Sequence, residues 1–127
     1  MNKFALEEFE IIKGHVSFYK LKVNNTCPID EFWEEIKRQG NLSKQLNNAV
    51  AIMERVAQNL PVPPNKYKSI TAKGDPYSEY EVKTKDLRIY LFRNSDGAIV
   101  VYGGKKSTQR RDINHFKNTV KEYFNSL

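Results

Sequence analysis

The stretch from Glu79 to Arg111, EYEVKTKDLRIYLFRNSDGAIVVYGGKKSTQRR, constrains the fold more than any other part of the chain. Apolar and charged residues alternate through it, the two-residue period of a strand with one face turned to a core. Asn94-Ser95-Asp96-Gly97 lies between two such runs and has the composition of a hairpin turn. The reading is strand, turn, strand, turn, strand over about Ser78 to Lys83, Leu87 to Arg93 and Ala98 to Tyr102, then an abrupt basic segment. Charge is segregated in the same direction. Residues 1–82 hold 11 Lys+Arg and 11 Asp+Glu, whereas residues 83–127 hold 10 basic against 4 acidic, so the whole net charge of +6 resides there. The expectation is a sheet with one face on a core and the other presenting cations to an anionic partner, with nucleic acid first and an acidic protein second.

The rest of the chain supplies what such a sheet needs. His15 to Val23 reads as a strand with Tyr19, Leu21 and Val23 on one face and Lys20 and Lys22 on the other. Pro28 suits the first position of a helix, Asp30 and Glu31 oppose the positive end of its dipole, Lys37 and Arg38 oppose the negative end, and Gly40 closes it. Ile29, Phe32, Trp33 and Ile36 form its buried stripe. A second helix from about Leu42 to Gln58 carries a wider apolar face through Leu42, Leu46, Ala49, Val50, Met53, Val56, Ala57 and Leu60, and the short connection makes the pair a helical hairpin. Pro61 to Pro64 stops it. Tyr67 to Ala72 reads as a strand, and a last helix from about Asp112 to Asn125 turns Ile113, Phe116, Val120, Tyr123 and Phe124 inward. The order is β-α-α-β-β-β-β-α, an α+β domain with a mostly antiparallel sheet over residues 15–127. Residues 1–14 are expected to be an arm or an extra edge strand, with Phe9, Ile11 and Ile12 as its apolar residues.

At 127 residues the chain is one domain by length. No run approaches the ~20 apolar residues of a membrane span, and the first residues lack the basic-then-apolar order of a secretory signal. One cysteine, Cys27, excludes an internal disulfide, and with two histidines it excludes the common zinc frameworks. A reducing cytoplasm is the expected compartment, with no metal and no cofactor. His15 and His115 lie far apart in sequence and read as surface residues, and Cys27 as structural.

Several stretches, taken in order, resemble the phage-derived HigB branch of the RelE/ParE toxins. SFYKLKVNNTCPIDEFWEEI is similar to that branch's strand, Asn/Gly turn, Cys-Pro and first helix. LPVPP matches its Leu-Pro-x-Pro crossover, EYEVK its aromatic-Glu-Leu-Arg strand, DLRIYLF its Tyr-Arg-Ile strand, and GGKKSTQRRDI its Lys-Lys-Thr-Gln segment. The likeness covers about Ser17 to Phe124. Lys83 stands where the branch has Arg, Leu87 where it has Tyr, and the Lys-Lys segment is shorter and lacks its Pro. The resemblance implies the toxin half of a toxin–antitoxin module, a metal-independent endoribonuclease that cuts mRNA on the translating ribosome. It also implies a cognate antitoxin, often of helix-turn-helix type, in a heterotetramer, or a toxin homodimer. Two other readings share the fold: a gyrase-inhibiting ParE-like toxin, and an RNA- or protein-binding module without catalysis.

Metal-free RNA cleavage needs help in removing the 2′-OH proton, neutralising the phosphorane and protonating the leaving 5′-oxygen. Arg88 and Lys83 are the expected phosphate stabilisers, with Lys105 near them on a neighbouring strand. Arg88 should turn outward because Leu87 and Ile89 turn inward. Glu81 and Tyr90 are the candidate acid/base groups. Lys85, Lys106, Arg110, Arg111 and Tyr102 are the candidate RNA contacts.

Overall fold

The computed structural model describes residues 3–127. In chain order the elements are β1 (Phe4–Glu8), β2 (Phe18–Val23), α1 (Pro28–Gln39), α2 (Ser43–Ala57), β3 (Tyr67–Ser69), β4 (Ser78–Lys83), β5 (Leu87–Asn94), β6 (Gly97–Lys105), a single 3-10 turn at Lys106–Thr108, and α3 (Gln109–Asn125). All six strands join one sheet in the order β1-β2-β6-β5-β4-β3. Among the described residues only β2 and β6 run parallel, and the other neighbouring pairs are antiparallel. The fold is α+β, as the alternation and the helical periods require.

Local signals explain most boundaries. Pro28 starts α1, and Gly40, at φ 83°, ends it by returning its N–H to the Ile36 carbonyl. Asn94 accepts the backbone N–H groups of Asp96 and Gly97 and so closes the β5–β6 hairpin. The first strand lies earlier than the apolar residues that suggested it. Phe4–Glu8 forms the edge, pairing with β2, whereas Phe9 and Ile12 leave strand geometry and bury themselves against α1 and α2. Ile11 stays exposed. Gly14 allows this route because a Cβ there would overlap the backbone of Ala57 at the end of α2. Of the arm expected over residues 1–14, residues 1 and 2 lie outside the described residues. The strand expected over Tyr67 to Ala72 stops at Ser69.

Alternation sends Val82, Ile89, Leu91, Ala98 and Val100 to one face, where Ile29, Ala49, Met53 and Val56 of the helical hairpin meet them. The opposite face is not the open cationic surface that the charge pattern suggested. Tyr90, Phe92, Ile99 and Val101 point there, and α3 lies across them with Phe116, Val120 and Tyr123. Leu87 to Phe92 are therefore buried on both sides, as a strand sandwiched between two layers must be. A bulge between Tyr90 and Leu91 makes Val101 the extra residue of β6, so Val101 and Tyr102 both reach the α3 side.

Candidate active site beneath the C-terminal helix

The polar residues of β4 and β5 that share a face with Tyr90 are Glu79, Glu81, Lys83 and Arg88, with Glu81 paired across the strands to Tyr90 and Lys83 to Arg88. Four of the expected catalytic residues thus share one face, and three of them, Glu81, Arg88 and Tyr90, are buried beneath α3. Glu81 and Tyr90 have no exposed surface and Arg88 only 4%. Phe116 stacks on Tyr90 at 5.7 Å between ring centroids, and Gln109 Nε2 donates to Glu81 Oε2 at 2.6 Å. Glu81 therefore pairs with α3 rather than with Lys83.

Arg88 does not point to solvent. Its Nη1 donates to the carbonyls of Thr84 at 2.8 Å and Leu87 at 2.9 Å, which ties it to the β4–β5 turn. Five buried side-chain polar atoms lack a partner among the described residues, and three are Glu81 Oε1, Arg88 Nε and the Tyr90 hydroxyl. A fourth, Glu79 Oε2, shares their face; its other oxygen accepts from the Lys117 ammonium at 2.6 Å, and burial pushes the Glu79 carboxyl up. Native interiors leave few polar atoms unpaired. Four of the five gather on this one face.

Burial and the neighbouring Glu81 and Asp112 carboxylates push the Tyr90 hydroxyl well above the ordinary phenol range, with Arg88 opposing them weakly. Tyr90 is thereby held as a neutral O–H, a proton donor. Arg88 supplies a fixed positive charge. Glu81 keeps lone pairs on Oε1 that no described residue engages. An acceptor, a cation and a donor thus adjoin on one rigid surface.

Asp112, Thr108, Gln109 and Gly104 complete the surroundings and were not singled out from the sequence. Thr108 donates to Asp112 Oδ2 at 2.6 Å, and a Cβ on Gly104, the partner of Arg88 on β6, would overlap that oxygen. The Gly103-Gly104 pair, which reads as a plain strand end, makes room on both faces: Gly104 lets α3 sit close, and a Cβ on Gly103 would overlap the Phe32 ring of α1 on the other. Paired glycines inside a strand are the available signal for such close approach.

The remaining candidates disperse. Lys105 is the partner of Leu87, so it faces α1, where its Nζ donates to Gln39 at 3.0 Å. It lies on the side of the sheet opposite Arg88 and does not join it. Tyr102 packs under α3, with its hydroxyl 3.2 Å from Thr119 and its ring against His115. Lys106, Arg110 and Arg111 are exposed around the 3-10 turn and the start of α3, where Arg111 lies 3.6 Å from Asp112. Lys83 stays beside Arg88 as its strand partner, and with exposed Lys85 it also lines a cleft against α2.

No family model, curated protein or solved structure matches the chain.

Among the described residues one group could hold a cation: Glu7, Cys27 and Asp30 offer ligand atoms within 4.8 Å of one another. Lys20 already binds Asp30 at 2.9 Å, and burial raises the Cys27 thiol, so the group is an ion pair beside a thiol. No helix among the described residues is long and apolar enough to cross a membrane.

Proposed function

We propose that the chain is the toxin component of a toxin–antitoxin module and a metal-independent endoribonuclease acting on mRNA at the ribosome. The observation that carries this reading is the convergence of Glu81, Arg88 and Tyr90, each with an atom unpartnered among the described residues, on the sheet face under α3. Their chemistry suits transesterification. Glu81 accepts the 2′-OH proton as the 2′-oxygen attacks the adjacent phosphorus. Arg88 neutralises the phosphorane, and Tyr90, kept protonated, gives its proton to the departing 5′-oxygen. The products are a 2′,3′-cyclic phosphate and a 5′-hydroxyl. RNA reaches these groups only when the first turns of α3 lift, which breaks the Gln109–Glu81 hydrogen bond and the Phe116–Tyr90 stack. A cognate helix-turn-helix antitoxin is the expected partner that masks the toxin.

The test is induced expression with growth measurement and primer extension on ribosome-bound mRNA. Glu81→Gln and Arg88→Lys are expected to lower cleavage by about 10²-fold or more, the scale of one acid–base or charge-stabilising group. Arg88→Lys is preferred to Arg88→Ala because the turn carbonyls keep a donor. Cleavage at the wild-type rate in both variants would falsify the assignment. The burial of the cluster favours one alternative, a protein that acts by its exposed cations alone, either on gyrase or as a binding module. Intact mRNA with DNA damage after induction would select the gyrase reading.

A further inference from the structure

A second polar feature lies away from α3. A cleft of about 810 Å³ separates α2 from the β4–β5 turn and is lined by Asn48, Arg55, Asn65, Lys66, Lys83 and Lys85 among others. All four ionisable residues lining it are basic. No hydrogen bond or ion pair engages the ammonium of Lys66, Lys83 or Lys85 among the described residues. An uncompensated set of four cations around a concavity raises the local concentration of anions.

Its walls are fixed without ligand. Gln45 of α2 accepts from the Thr84 hydroxyl at 2.5 Å and the Asp86 N–H at 2.8 Å, and donates to the Asp86 carboxylate at 2.8 Å. The turn that carries Lys85 is thereby fastened to the helix, and its one acid is engaged elsewhere. Arg55 Nε is held by the Pro61 carbonyl at 3.0 Å, and the Pro63 carbonyl accepts the N–H groups of Lys66 and Tyr67. Rigid walls spare a ligand the cost of ordering them. The lining holds no aromatic ring, so it offers charge and amide groups but no platform for stacking bases.

We infer that this cleft binds the phosphodiester backbone of RNA, independently of base sequence and separately from the cluster beneath α3. Lys83 joins the two regions, since it lines the cleft and is the strand partner of Arg88. The choice of RNA over another polyanion rests on the endoribonuclease reading. The backbone can come from the mRNA itself or from a ribosomal RNA helix.

The experiment is fluorescence anisotropy with the full chain and labelled 2′-O-methyl RNA, single-stranded or as an A-form duplex, over a salt series. This RNA cannot be cut by 2′-oxygen attack, so binding is read whether or not the protein cleaves. Lys66→Ala/Lys85→Ala removes two exposed ammonium groups. It is expected to weaken binding roughly tenfold and to flatten the log–log salt slope by about 1.4 for a single strand, near 0.7 per lost phosphate contact. Lys13→Ala/Lys121→Ala removes the same charge from exposed sites outside the cleft and should leave the slope as in the wild type. Tighter binding of the single strand identifies the mRNA as the source, and tighter binding of the duplex identifies a ribosomal helix. Equal losses in the two double variants, or no RNA binding while an acidic protein is retained through the cleft, would overturn the inference. Thermal melting of each variant separates lost binding from lost folding.

Discussion

The Tyr90 hydroxyl is enclosed and has no partner among the described residues, a state that costs about 1–3 kcal/mol against a hydrogen-bonded one. Removing the oxygen relieves that cost, because Phe fills nearly the same volume against Phe116. Tyr90→Phe is therefore expected to raise stability by about 1 kcal/mol while cleavage falls, and thermal melting beside primer extension reads both. A variant that is less stable and equally active would remove Tyr90 from the proposed chemistry. The alternation in EYEVK and LRIYLF shows which residues share a face, and the structure keeps that grouping for Glu81, Arg88 and Tyr90. What lies on top of the face is a property of α3, which the alternation does not encode. Lys105 illustrates the other gap: its face depends on a register that a bulge shifts by one residue, and no local signal marks the bulge.

At the scale of elements, α3 is seated by the space that Gly104 leaves for Asp112. Gly104 is not among the glycines with positive φ, so alanine suits its backbone and only the carboxylate stands in the way. Gly104→Ala should push the first turn of α3 off the sheet at a cost of about 1–3 kcal/mol. Hydrogen exchange is expected to speed up in residues 109–113 but not in α2, and uniform protection across both helices would refute this seating role. The helices themselves were legible from their apolar periods, Pro28 and Gly40. The start of α3 was not, because Lys106–Thr108 forms a 3-10 turn before it, with no side-chain cap at either junction. The edge strand was expected from Phe9 and Ile12, but those residues serve the core from a bend instead of a strand.

The whole molecule has two apolar layers, one on each face of a single sheet, and β5 belongs to both. Such sharing couples the layers. Phe116→Ala on one side should cost about 3–5 kcal/mol and Met53→Ala on the other about 2–5 kcal/mol. Each is expected to shift one common unfolding transition, read identically by near- and far-ultraviolet circular dichroism. Two separated transitions in either variant would show that the layers melt independently.

The parallel pairing of β2 with β6 joins strands from opposite ends of the described chain. During synthesis, β2 leaves the ribosome long before its partner exists, and chains grow at roughly 5–20 residues per second. The central pairing of the sheet therefore waits for Gly97 to Lys105, and the covering of Glu81, Arg88 and Tyr90 waits longer still, for α3. A nascent chain therefore carries an unfinished sheet, with its polar face uncovered, through the whole interval between the synthesis of β2 and that of α3.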